Sequence, residues 1–136
     1  MGQQQILVVI LAICVIGIAV SIGVLSLSGN ALSDNRALVE QDLALMARNI
    51  QDYVNLPVEN GGGGVSFDVL SRLPNALGLA SCPSSNAHGD YFVKRSSDAQ
   101  SLQIIGVGIE AGFDQKHPLR LAMTVWVDSS AVTVLN

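Results

Sequence analysis

No charged side chain occurs before Asp34, so the first 33 residues contain neither an acid nor a base. The opening Met1-Gly2-Gln3-Gln4-Gln5 therefore lacks the basic flank of a secretory signal. The apolar run that follows, Ile6 to Leu27, also exceeds the roughly 7 to 15 residues of a signal's apolar core. A discarded signal peptide is not the expected reading. Myristoylation is excluded because Ile6 stands where that pattern needs Ser or Thr.

Basic residues are scarce as well. Seven Lys and Arg against eleven Asp and Glu leave a net charge of −4, too few and too scattered to neutralise a line of phosphates, so no nucleic-acid partner is expected. Of the two cysteines, Cys14 lies among branched aliphatics and Cys82 in the loop SCPSSN. They read as free thiols, not as a disulfide. Aromatics make up 4% of the chain, and Tyr53, Phe67, Tyr91, Phe92, Phe113 and Trp126 are irregularly spaced, giving no ladder for electron transport.

Signatures of catalysis are missing too. His88 and His117 are single loop histidines, and Asp114 with His117 is the nearest approach to a metal pair, so no metal site is expected. Cys82 has no sequence signature of a nucleophile, and nothing in the sequence brings the distant His88 to it. Gly106, Gly108 and Gly112 are one residue out of step with a dinucleotide fingerprint and sit in a late strand, where they predict a bulge or close packing. The four glycines Gly61 to Gly64 lack the Lys and Ser or Thr of a phosphate loop and read as a flexible connector. Neither catalytic residues nor a cofactor is expected.

What the chain does have is apolar surface. It is 49% hydrophobic with a mean hydropathy of +0.44 over 136 residues. As a helix, Ile6 to Leu27 would be about 33 Å long, enough to cross a bilayer core of roughly 30 Å. Its first half is bulky. Its second half collects Gly17, Ser21, Gly23, Ser26, Ser28 and Gly29, and the pairs Gly17/Ser21 and Ala19/Gly23 permit close helix approach.

The helical pattern then continues in amphipathic form. Leu32, Val39, Leu43, Met46, Ile50 and Tyr53 recur at intervals of 7, 4, 3, 4 and 3, a stripe suited to packing on the protein's own sheet. Ala37, Leu38, Ala44, Leu45 and Ala47 widen the apolar surface and predict a second packing partner. Pro57 ends the helix. Ser66 caps a short helix over Phe67 to Leu73, stopped by Pro74. Asn75 to Asp90 reads as an irregular loop with a turn at Asn86 to Gly89.

From Tyr91 the period becomes 2. Tyr91 to Arg95, Leu102 to Glu110, Leu119 to Asp128 and Ala131 to Leu135 read as four short strands of an antiparallel meander. In the third, Leu119, Leu121, Met123, Val125 and Val127 alternate with Arg120, Ala122, Thr124 and Trp126, so one face is expected to lie against the helix and the other toward solvent or a neighbour. The fold class predicted is α+β: a long N-terminal helix on a small four-stranded antiparallel sheet. Its parts are an apolar half over 1–30, an amphipathic half over 31–56 and a β-domain over 57–136.

An apolar helix running on as an amphipathic half, then a glycine-rich loop and a four-stranded antiparallel sheet, resembles the type IV pilins and pseudopilins. The resemblance implies a subunit held in the inner membrane by the apolar half until assembly, then packed through it into the core of a helical filament on the cell surface. It implies as partners further copies of the chain, membrane lipid, a prepilin peptidase, an assembly ATPase and a platform protein. Gly2 is the glycine placed for peptidase cleavage. Cleavage there leaves Gln3 first and Leu7 fifth, where the family normally carries Glu; with Met1 retained, Gln5 is fifth. A glutamine carbonyl can accept a bond from a neighbour's N-terminal amine, so Gln3, Gln4 and Gln5 are expected to make inter-subunit polar contacts. Ile6, Val9, Ile10, Ile13, Ile16 and Val20 are expected to pack the filament core. Ser21, Gly23, Ser26, Ser28 and Gly29 mark the stretch expected to unwind in a filament. The alternatives are a single-pass membrane protein with a small extracytoplasmic domain, and a minor pseudopilin of a secretion or DNA-uptake system.

Overall fold

A computed structural model describes residues 2–72, 76–94 and 100–136. One helix, α1 (Gly2–Asn55), occupies the first 54 described residues, about 80 Å of continuous helix. It is followed by a single 3₁₀ turn (Val58–Asn60), two short helices, α2 (Asp68–Arg72) and α3 (Ala76–Leu79), and four strands. The strands are β1 (Gly89–Lys94), β2 (Ser101–Ala111), β3 (Pro118–Trp126) and β4 (Ser130–Val134), joined in the order β1-β2-β3-β4 with every neighbouring pair antiparallel. The α+β architecture and the strand positions match the expectation. Arg95, Leu73 and Pro74 lie outside the described residues.

The amphipathic half of α1 lies across β2 and β3. Val39, Leu43, Met46 and Ile50 from the predicted stripe are buried, and Leu32 and Tyr53 are half-buried at its ends. From the sheet, Leu119, Leu121, Met123 and Val125 meet them, with Leu102, Ile104 and Tyr91 alongside. Phe67, Leu70 and Leu77, on or beside the two short helices, close the end of this core near Val54. Of the residues expected to widen the apolar surface of α1, Ala47 is buried in the core and belongs to the first face. Leu38 and Leu45 are exposed.

Two parts of the middle region depart from expectation. The segment read as loop from 75 to 90 contains α3, and β1 begins within it at Gly89. The glycine run, expected as a flexible connector, is bonded to the end of α1: Gly63 N–H donates to Tyr53 O (2.9 Å), Gly64 N–H to Leu56 O (3.1 Å) and Val65 N–H to Val54 O (2.8 Å). A helix leaves its last carbonyls without internal partners, and this loop supplies them. Gly61 and Gly64 have φ of +81° and +59°, and a Cβ on Gly62 would overlap Leu56. Val65, at φ +66°, adopts the same left-handed conformation with a β-branched side chain.

The glycines of β2 do what their spacing predicts. A Cβ on Gly106 would come within 2.9 Å of Val39 Cγ1, so its absence lets α1 sit down on the sheet. Past Val107 the ladder bulges: residues 108–110 of β2 stand against Leu119 alone before pairing resumes at Ala111 and Pro118.

Candidate functional site

Among the described residues nothing packs against the apolar half of α1. Every large apolar residue from Ile6 to Leu27 is between 57 and 74% exposed, and none of the helix is buried before Asn35. Ile6, Val9, Ile10, Ile13, Ile16 and Val20, at spacings of 3, 1, 3, 3 and 4, share one helix face. Leu7, Val8, Leu11, Val15, Ile18 and Ile22 make the remaining circumference equally apolar. A helix that is apolar all round requires a surrounding apolar medium, whether lipid or other protein. This is one helix long and apolar enough to span a membrane.

Its polar atoms are arranged for that medium. Ser21 Oγ donates to Gly17 O at 2.8 Å and Ser28 Oγ to Val24 O at 3.1 Å, so these hydroxyls satisfy themselves within the helix. The helix is unbroken through Ser21, Gly23, Ser26, Ser28 and Gly29 in the single chain. Among the described residues nothing lies within 4 Å of a Cβ placed on Gly17, Gly23 or Gly29, so none of them requires glycine there. Gln3, Gln4 and Gln5 occupy the exposed first turns of the same helix, directly before the apolar run.

A second group of side chains sits where α1 meets the start of β1. Asp42 Oδ2 accepts three hydrogen bonds, from His88 Nδ1 (2.7 Å), Tyr91 OH (2.7 Å) and Asn86 Nδ2 (2.8 Å). The carboxylate can only accept, so His88 carries its proton on Nδ1. Burial pushes the Asp42 carboxyl upward, but the donors from Tyr91, Asn86 and His88 together outweigh it and hold it below its ordinary 3.8. Burial and the facing Asp42 push the Tyr91 phenol up. One heptad earlier, Asn35 is the buried polar side chain of the core; its Nδ2 donates to His88 O at 2.9 Å, and its Oδ1 receives Glu110 N–H at 3.4 Å inside the bulge.

The other candidates from sequence fall apart in space. His88 is engaged with Asp42, while Cys82 is buried beside α1, its thiol bonding to Ala80 O at 3.5 Å and Met46 O at 3.8 Å. Burial raises the Cys82 thiol's pKa, which opposes thiolate formation. Asp114 and His117 pair at 2.6 Å on the exposed β2–β3 loop, where bonds from the His117 side chain and the backbone of His117 and Lys116 bring Asp114 down to about 2. The described residues contain no group of three His, Cys, Asp or Glu able to hold a metal ion.

Sequence reasoning missed the Asp42 cluster. Its three donors lie 44 to 49 residues from Asp42 along the chain, beyond the reach of any local pattern. Comparison with protein-family models, with curated proteins and with solved structures finds no match to this chain.

Proposed function

We propose that this protein is the structural subunit of a type IV pilus-like filament, held in the membrane by the apolar half of α1 before assembly and cohering through the same surface afterwards. The observation that carries this reading is the geometry of α1. A single continuous helix is bound to the sheet over its second half and bare over its first, so the bare half projects as a rod apolar on every side. Lipid and neighbouring rods can both cover such a surface. Gly17, Gly23 and Gly29, against which none of the described residues packs, allow neighbouring helices to approach closely in that second environment.

In this reading Gln3, Gln4 and Gln5 offer amides to the N-terminal amine of a neighbouring subunit. Ile6, Val9, Ile10, Ile13, Ile16 and Val20 pack the core, and Ser21, Gly23, Ser26, Ser28 and Gly29 are where α1 yields if filament symmetry demands extension. The protein does no chemistry of its own.

The test is to shear cells, pellet the filaments and identify their main protein by intact mass. This chain as the main component supports the proposal, and its mass reports whether Met1 and Gly2 remain and whether the amine is methylated. Retention in the membrane fraction, with none in the sheared pellet, replaces the proposal by a single-pass membrane protein.

A further inference from the structure

We propose that Asp42 is an acid-sensitive catch: its carboxylate holds residues 83–88 as a strap along the outer edge of β1, and protonation of that carboxylate frees the strap and bares the edge.

The two edges of the sheet are treated differently. At β4, Ser130 to Val134 are all exposed and carry neither charge nor proline. At β1 the edge is covered: Tyr91 N–H donates to Ser84 O at 2.8 Å, Asn86 N–H to Gly89 O at 3.0 Å, and Ser85 bridges Asp90. Among the described residues little else holds the strap. Pro83, Ser84, Ser85, Asn86 and Ala87 are exposed, and none of them belongs to the apolar core. It is anchored instead by polar bonds to α1, with Asn86 and His88 on Asp42 and the His88 carbonyl on Asn35. Asn86 Oδ1 in turn accepts from the N–H groups of His88 (2.8 Å) and Gly89 (3.2 Å), so the anchor also shapes the turn into β1.

All three donors converge on one carboxylate oxygen. That arrangement suits an anion: protonation at Oδ1 leaves Oδ2 a neutral carbonyl that loses the charge-assisted part of all three bonds, and protonation at Oδ2 places a hydroxyl hydrogen among the donors. Protonation also leaves His88 without its anion. Among the described residues the ionisable groups facing Asp42 are His88 from the strap and Tyr91 from β1, with Asp90 the further carboxylate acting on Tyr91; on α1 itself Glu40 is taken up by Arg36 at 2.8 Å. Because the folded Asp42 is held below its ordinary value, the bonds are present in full above about pH 4 and are lost as pH falls through the depressed value. An edge so bared presents unpaired N–H and C=O groups to which another strand can add.

The test is amide hydrogen exchange on the full chain in detergent micelles from about pH 6.5 to about pH 2.5, corrected for intrinsic rates. The amides of Tyr91 and Asn86 report the strap, and those of Leu121 and Met123 report the sheet. The expected result is that strap protection is lost as pH falls below about 4 while sheet protection persists. Asp42→Asn is expected to lose strap protection at neutral pH. Tyr91→Phe, which removes one donor and keeps the ring, moves the release to higher pH. Strap protection retained at about pH 2.5 with the sheet intact overturns the proposal. So does simultaneous loss at strap and sheet, or release in Tyr91→Phe at the wild-type pH.

Discussion

Asn35 lies over Gly108 so closely that a Cβ on the glycine would overlap the amide oxygen. This one approach joins the helix, the strap and the bulge, because the same amide bonds His88 O and Glu110 N–H. Gly108→Ala is therefore expected to displace the Asn35 amide and leave buried polar groups unpaired, at a cost of about 1–3 kcal/mol. Urea unfolding of the full chain in mild detergent, followed by Trp126 fluorescence, measures it. An unchanged midpoint would show that the amide has room to move.

The loop that ends α1 makes a prediction of opposite signs at neighbouring positions. Gly62→Ala drives a methyl into Leu56 and is expected to cost about 2 kcal/mol or more. Val65 is 63% exposed and held at φ +66° by its bond to Val54 O, so Val65→Gly sacrifices almost no burial and relieves a left-handed β-branched residue. It is expected to be neutral or to stabilise by about 0.5–1 kcal/mol, the relief being offset in part by the entropy of the new glycine. The same unfolding assay decides both, and a destabilised Val65→Gly contradicts the strain argument.

These two loops show which parts of the molecule can be read from a linear pattern. Strand positions were legible because Leu119, Leu121, Met123 and Val125 alternate, and a period of 2 between turns has few other meanings. The buried stripe of α1 was legible for the same reason at a period near 3.6. Outward-facing Ile105 and Ala122 were not, although they are 5% and 1% exposed: they are register partners, and their cover comes from neighbouring strands, Ile105 also pairing with Phe92. The capping role of the glycine run and the convergence on Asp42 were hidden because each depends on where chain-distant carbonyls and donors end up. The apolar half of α1 was plain from composition alone, since no packing among the described residues modifies it.

The two thiols should separate by environment. Cys82 is 6% exposed with a raised pKa, and its protection comes from the packed domain. Cys14 is exposed on the bare rod, and any protection it has must come from lipid or neighbouring subunits. In intact membranes a charged, membrane-impermeant maleimide is expected to label neither. Transfer to a mild detergent with a small reactive thiol reagent should expose Cys14 and leave Cys82 slow until the domain unfolds. Rapid labelling of Cys82 in the folded state would contradict its placement against Met46 and Ala80.

A charge placed on the rod distinguishes the role of that surface from the role of the domain. Ile13→Lys puts an ammonium near the middle of the uncharged segment, at a cost of roughly 2.5–3.5 kcal/mol for a helix centred in a membrane. In a filament core built from these uncharged segments the ammonium would find no paired acid within them, since none occurs before Asp34. Sheared filament is therefore expected to vanish. The domain begins its burial only at Asn35, so the slow labelling of Cys82 and the Trp126 unfolding midpoint should not change. If Ile13→Lys still yields normal amounts of filament, the apolar rod does not supply the cohesion and the proposed function fails. If filament and Cys82 protection disappear together, the rod and the sheet are one folding unit, against the geometry in which they share a helix but no contacts.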